Sequence, residues 1–230
     1  MTTAPSGPVH VVIPVLDHLT LTRDLLADLW AQAGHDCITV FDNGSGPETR
    51  RWLETQAAAH RIELVDAEGW RLYRMWNEGV RRARERSPVC DVAILNNDLR
   101  LGPEFLSSLS SALRADPNLW AVSPAYDERR IDGVELVAGT YKDGGLAGFA
   151  FMVRGEVFEA IGFDEGFEWW FGDDDIVAQI ERHGGKVGIV GSTWVQHVAG
   201  GSQTLIERTP EVYEGLLRDY EHMLAKWGHH

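Results

Sequence analysis

Two acidic segments and one late histidine are the residues of this chain best placed to do chemistry. The apolar run Ala93-Ile94-Leu95 stops at Asn96-Asn97-Asp98; about 75 residues later comes Gly172-Asp173-Asp174-Asp175, and then His197. A carboxylate that ends an apolar strand sits at the mouth of a sheet, where open α/β enzymes hold metal ions and phosphorylated ligands. Mg²⁺ and Mn²⁺ take one or two protein carboxylates and complete their shell with phosphate and water. Asp98 therefore suits a hard cation, with Asn96 and Asn97 beside it for sugar or phosphate oxygens. A second carboxylate cluster can supply a separate general base. Phe41-Asp42-Asn43-Gly44-Ser45 forms another strand-end turn. Its aspartate can accept hydrogen bonds from a nucleobase imide or a ribose hydroxyl, and the same residues equally make an ordinary Asn-Gly turn. Trp169, Trp170 and Phe171 directly precede the second acidic cluster. Adjacent aromatics serve as core or lid packing, and their faces also suit the C–H face of a sugar.

These residues need a sheet to carry them, and the first half of the chain reads as one. Residues 9–15 form a nearly continuous apolar run, as for a strand buried on both faces of a parallel sheet. Leu21, Leu25, Leu29 and Trp30 then recur at helical spacing, ending before Gly34. Strands are expected over 37–41, 62–65 and 92–95, the last ending in the Asn-Asn-Asp segment. Helices are expected from Pro47 to about Ala59, along Trp76, Val80 and Ala83, and from Pro103 through Phe105, Leu109 and Leu113. A fifth strand over 120–123 ends the regular alternation. Residues 127–145 are polar and punctuated by glycine, and 146–153 form a strand-like run with no helix before it. A helix over about 174–183, with Asp175 as its cap, then leads to a strand over 186–190 and the stretch around His197. An amphipathic helix bearing Tyr213, Leu216, Tyr220, Leu224 and Trp227 closes the chain.

The 230 residues are 44% hydrophobic and 24% charged, a soluble globular profile that fits one domain. A net charge of −14 excludes a nonspecific nucleic-acid or anionic-membrane surface, since both need clustered cations. The densest basic run, Arg81, Arg82, Arg84 and Arg86, falls on an expected helix and reads as its solvated face. Cys37 and Cys90 show no zinc-ligand spacing and read as reduced core thiols. No secretion-signal order and no apolar run of about 18 residues appears, so the expectation is a cytoplasmic protein.

The order of motifs resembles that of family-2 glycosyltransferases of GT-A fold, including rhamnosyltransferase-like bacterial and phage-encoded members. The resemblance is carried by Val11-Val12-Ile13-Pro14-Val15, Asp42-Asn43-Gly44-Ser45, Gly69 with Asn77-Glu78-Gly79, and Leu95-Asn96-Asn97-Asp98. It continues through Phe163-Asp164-Glu165, Asp173-Asp174-Asp175 and His197 with Gly200-Gly201-Ser202. It implies an α/β, single GT-A domain with a mixed, mainly parallel central sheet. A Rossmann-like half over about 9–101 would bind the nucleotide sugar, an acceptor and catalytic half would span about 102–205, and a C-terminal helix about 206–228. It further implies a nucleotide-sugar contact set of Pro14, Asp42, Asn43, Gly44, Arg71, Asn77, Asn96 and Asn97. Asp98 and His197 would hold Mn²⁺ or Mg²⁺. Trp169 and Trp170 would meet the acceptor. Asp98 matches the last acid of the family's Asp-x-Asp element, with Asn96 in the place of the first. The family's Glu-Asp-x-Asp element aligns Asp173 with the catalytic base when the spacing to Gly184 is held, and Gly172 replaces the glutamate, which leaves Asp173 and Asp174 both as candidates.

The activity implied is inverting, metal-dependent transfer of a hexose from a nucleoside diphosphate sugar to a hydroxyl of a glycan, lipid, protein or modified nucleobase. A sugar-1-phosphate nucleotidylyltransferase would want a glycine-rich, basic phosphate loop after the first strand, and Val15-Leu16-Asp17-His18 has neither feature. A noncatalytic sugar-nucleotide or glycan-binding module is the other alternative; Asp42, Asp98, Asp173 and His197 together speak against it.

Overall fold

The computed structural model describes residues 8–126, 131–140, 144–198 and 210–228. Of the sequence motifs, Gly200-Gly201-Ser202 lies outside the described residues, as do 206–209 of the expected final helix. The elements run β1 (Val9–Val15), α1 (Leu19–Trp30), β2 (Cys37–Asp42), α2 (Pro47–Ala58), β3 (Glu63–Asp66), α3 (Leu72–Arg86), β4 (Asp91–Leu95) and β5 (Leu99–Leu101). They continue with α4 (Phe105–Ala115), β6 (Leu119–Ala125), β7 (Val134–Val137), β8 (Ala150–Val153), a 3-10 turn (Gly155–Glu159), α5 (Gly172–Arg182), β9 (Lys186–His197) and α6 (Pro210–Trp227).

Eight strands lie in the order β3-β2-β1-β4-β8-β6-β9-β5, and β7 pairs with β9 beside that path. β3, β2, β1 and β4 are parallel, β8 is antiparallel to both β4 and β6, and β6 and β9 are parallel again. This is the mixed, mainly parallel α/β sheet that the family resemblance implies. Alternation along the central strands divides the core in two. Val9, Val11, Ile13 and Val15 of β1, with Ala93 and Leu95 of β4, pack with α1, α2 and α4. Val12, Val92 and Ile94 pack on the other face with α3, α5 and Met223 of α6. Gly79 lets α3 close on β1, because a Cβ there would overlap the Val12 side chain. The arginine run of α3 is ion-paired on its outer side, Arg81 and Arg82 with Glu78, Arg84 with Glu159, and Arg86 with Glu63.

The second half departs from the sequence expectations. Residues 186–197 are one strand, because β9 pairs β6 and β7 with its first part and β5 with its last. Its register jumps from Pro124↔Val190 to Ala125↔Trp194, and this bulge carries the strand around the site. β7 emerges from a stretch read as loop, and β5 is an unexpected strand; β9 supplies the pairing for both. α5 opens at Gly172, so Asp175 lies inside its first turn and is not its cap. α6 turns Gly215, Asp219 and Met223 inward, whereas Tyr213 and Tyr220, assigned to the apolar face, are exposed. Among the described residues no helix is long and apolar enough to cross a membrane.

Candidate functional site

The parallel strands β1, β2 and β4 bring the loops that follow them to one edge of the sheet. Asp17 ties all three together. Its N–H donates to Ser45 Oγ (2.9 Å), its Oδ1 accepts from the Gly46 N–H (2.7 Å), and its carbonyl accepts from Asn97 Nδ2 (3.3 Å). Asp17 and His18 both hold left-handed backbone, φ 55° and 52°, which this bonding must enforce. Asp42, at the end of β2, is buried. Its Oδ1 accepts from the Ser45 N–H (2.9 Å), while Oδ2 has no hydrogen-bond partner among the described residues and lies 3.9 Å from Arg50 Nε. Asn43 Oδ1 is likewise buried and unpartnered among the described residues, and Gly44 makes the turn with φ 89°. The turn thus keeps two buried acceptors open, which are costly alone and relieved by a ligand that donates. Pro14 lies opposite Phe41 near the end of β1. Asn97 is buried and points inward, with Nδ2 donating to Thr22 Oγ1 at 3.0 Å, so it braces the loop.

The β5–β9 pairing sets Leu99 against His197 and carries His197 to Asp98. His197 Nε2 lies 3.1 Å from Asp98 Oδ1, and the Val198 N–H donates to the Asp98 carbonyl (2.9 Å). Asp98 is 1% exposed. The Phe149 ring stacks on His197, centroids 4.6 Å apart and planes 17° apart, and its carbonyl accepts from the Asn96 N–H (2.9 Å). Among the described residues no group of three or more His, Cys, Asp and Glu side chains converges on a point that could hold a metal. The donor pair nevertheless fits a cation whose shell is completed by phosphate: a 3.1 Å separation is close to the edge of an octahedron with bonds of about 2.1 Å. The carboxylate suits Mg²⁺ or Mn²⁺.

The second acidic cluster fans out along the first turn of α5, each carboxylate with a different neighbour. Asp173 lies against Gly148, where a Cβ would overlap its carboxylate. Asp174 points elsewhere: its Oδ1 accepts from Thr140 Oγ1 (2.9 Å), and it lines a cavity of about 300 Å³ with Phe171, Val177 and Tyr220. Asp175 is fully buried, accepting from Trp227 Nε1 (2.7 Å) and Gln179 Nε2 (2.7 Å) and pairing with Lys226 (2.8 Å). At Gly172, where the resemblance would set a glutamate, the Tyr73 ring fills the space a side chain would need, and the Tyr73 hydroxyl accepts from the Gly172 N–H (3.0 Å). Burial first, and then the Asp173 carboxylate, push the Tyr73 phenol well above its usual range, so it stays protonated.

Trp169 is 44% exposed, whereas Trp170 is partly buried and lies along α6 beside Gly215. Asn77 uses its amide to hold 163–165, donating to the Phe163 carbonyl (2.8 Å) and Glu165 Oε1 (3.0 Å) and accepting from the Phe163 N–H (3.2 Å). Arg71 reaches the Glu165 carbonyl (3.4 Å) and Glu168 (3.7 Å).

No family model and no curated protein sequence matches this chain. Among solved structures, the chain is similar to the crystal structure of GalNAc-T7 with UDP, GalNAc and Mn²⁺, with a TM-score of 0.66 and 15% identity over 84% of this chain. The fold is GT-A. The match covers 44% of the GalNAc-T7 chain, so this chain spans less than half of its length.

On this fold the structure brings Asp98, His197, Asn96 and Asp173 around residues 148–149, and sets Asp42 and Asn43 at the next strand ends. It directs Asn77, Asn97 and Asp175 to bracing bonds, and Asp174 to the cavity beside α6. Asp17, Tyr73, Gly148 and Phe149 went unnoticed in the sequence. Asp17 alone had a local signal, a carboxylate just after the first strand, the same sign that singled out Asp98.

Proposed function

We propose that this protein is an inverting glycosyltransferase of family-2 type that moves a hexose from a nucleoside diphosphate sugar to an acceptor hydroxyl. The observation that carries the reading is the bridge at 148–149. Phe149 stacks on His197 and accepts from Asn96, while Gly148 beside it meets Asp173, so the proposed diphosphate and base groups share one wall. The solved structure similar to this chain holds UDP, GalNAc and Mn²⁺, which makes UDP-sugars the first donors to test.

In this reading Asp42 Oδ2 and Asn43 Oδ1 accept from the nucleobase, and residues 9–101 form the donor half. Asp98 and His197, with Asn96 beside them, would hold Mn²⁺ or Mg²⁺. When bound, such an ion neutralises charge developing on the leaving diphosphate. Asp173 takes the acceptor hydroxyl's proton as that oxygen bonds to the anomeric carbon and the diphosphate leaves with the bonding pair. A single displacement from the opposite face inverts the anomeric centre. Asp173 is favoured over Asp174 because it lies against Gly148, next to Phe149, whereas Asp174 faces the cavity beside α6. Exposed Trp169 offers a face to the acceptor, and Trp170 lies against α6.

The test is hydrolysis of a panel of UDP-, GDP-, dTDP- and CDP-sugars with Mn²⁺ and with EDTA. Asp173→Asn is expected to cut hydrolysis by roughly 10²–10⁴-fold with UDP affinity little changed, while Asp174→Asn stays near the parent rate. Asp98→Asn is expected to weaken donor binding far more in Mn²⁺ than in EDTA. Binding of a donor without hydrolysis, or no thermal shift with any donor, refutes the enzyme reading.

A further inference from the structure

The segment that delivers Asp173 contains a strained residue held from both sides. Phe171 has φ 64° and ψ 2°, left-handed backbone that is a genuine outlier for a bulky side chain and persists only where surrounding structure enforces it. Directly upstream, three consecutive N–H groups converge on one carboxylate. Glu168 donates to Asp219 Oδ1 (2.8 Å), and Trp169 and Trp170 both donate to Asp219 Oδ2 (2.9 Å each). Directly downstream, the Gly172 N–H donates to the Tyr73 hydroxyl (3.0 Å). Asp219 is 1% exposed and sits on the inward face of α6. A carboxylate can accept all three bonds at once; a neutral amide would turn N–H groups toward N–H groups. Phe171 immediately precedes α5, whose first turn carries Asp173 to Gly148 and Asp174 to Thr140.

We propose that Asp219 is a positioning residue for the base: by gathering the amides of 168–170 it holds Phe171 in its left-handed conformation and thereby aims Asp173 at the acceptor. This rests on the reading of Asp173 as the base. No local feature of the sequence marks Asp219, and its effect is exerted through the backbone alone.

The test uses the full chain with Asp219→Ala and Asp219→Asn, with Asp219→Glu as a variant that keeps the charge should the others fold poorly. Hydrogen exchange read by mass spectrometry is expected to quicken tenfold or more at the amides of 168–172 and to stay unchanged in β1, β2 and β4. UDP affinity in Mn²⁺ is expected to stay within twofold, while UDP-sugar hydrolysis falls at least tenfold. Phe171→Gly, which adopts positive φ without strain, is expected to restore part of that hydrolysis in the Asp219→Ala background. If Asp219 is only a staple, Asp219→Ala lowers UDP affinity, hydrolysis and melting temperature together and Phe171→Gly destabilises further; that pattern overturns the proposal. Unchanged exchange at 168–172 also overturns it. Full hydrolysis in Asp173→Asn, by contrast, removes the base assignment, and leaves the exchange measurement to judge the hold on Phe171.

Discussion

Asp42→Asn separates ligand recognition from folding at the turn after β2, and it should weaken the first far more than it changes the second. The substitution keeps Oδ1 to accept from the Ser45 N–H and replaces Oδ2, a buried oxygen with no hydrogen-bond partner among the described residues, by an amide nitrogen that donates. A buried polar group left unsatisfied costs about 1–3 kcal/mol. The amide nitrogen that takes the place of Oδ2 is itself a buried polar group and gives up the attraction of Arg50 Nε at 3.9 Å, so the free protein should change in stability by about 1 kcal/mol or less. The nucleotide should lose a hydrogen bond to a charged group, about 1.5–3 kcal/mol, or roughly 10- to 100-fold in Kd. Urea denaturation without ligand measures the first effect, and calorimetric titration of UDP with Mn²⁺ the second. Asp42→Ala is the control, since it also removes the Ser45 bond and should lose about 1 kcal/mol of stability. A destabilised Asp42→Asn protein that binds UDP with the parent affinity would refute the reasoning, and make Asp42 a structural turn residue.

Gly172→Ala should destabilise by about 2–4 kcal/mol in urea denaturation, from overpacking against Tyr73 and loss of its hydrogen bond; Tyr73→Leu in the same chain should recover much of this, and strict additivity of the two changes would show that they do not meet. His10 is fully buried, and burial first, with Arg86 second, lowers its imidazole to about 4. Between about pH 6.5 and 4 the unfolded chain therefore takes up a proton that the folded one refuses, so stability is complete above the unfolded pKa and falls with pH by up to about 3 kcal/mol. His10→Gln should flatten that slope in denaturation curves at pH 7.5 and 4.5, and an unchanged slope would mean that the imidazole titrates freely.

The first half was legible because its central strands are buried on both faces and read as unbroken apolar runs; β1 occupies the span its composition marks. The second half was not, because its pairing is long-range. β7 exposes Val134 and Leu136 and exists through β9, more than fifty residues away, so no local periodicity announces it. Asp175 reads as a cap in a first turn, yet its partners Lys226 and Trp227 come from α6. Asp219 escaped notice for the related reason that a buried aspartate is tolerated only through bonds to a distant backbone, here the amides of 168–170. At the site, the strand-end rule picked out Asp42 and Asp98. The juxtaposition of Asp98 with His197 depends on the β5–β9 register, and that of Asp173 with Gly148 on residues 146–149, which read as part of a strand but precede β8.

The hub at Asp17 bears on the thermodynamics of the cradle formed by the loops after β1, β2 and β4. Asp17 joins the loops after β1, β2 and β4 before any ligand arrives, and Asn97 locks the third to Thr22. The left-handed pair Asp17 and His18 is the conformational cost of that rigidity, incurred during folding. A nucleotide entering the cradle would therefore meet loops already ordered, and little of its interaction energy would go into freezing backbone. Its binding should show the small entropic penalty of a preformed pocket.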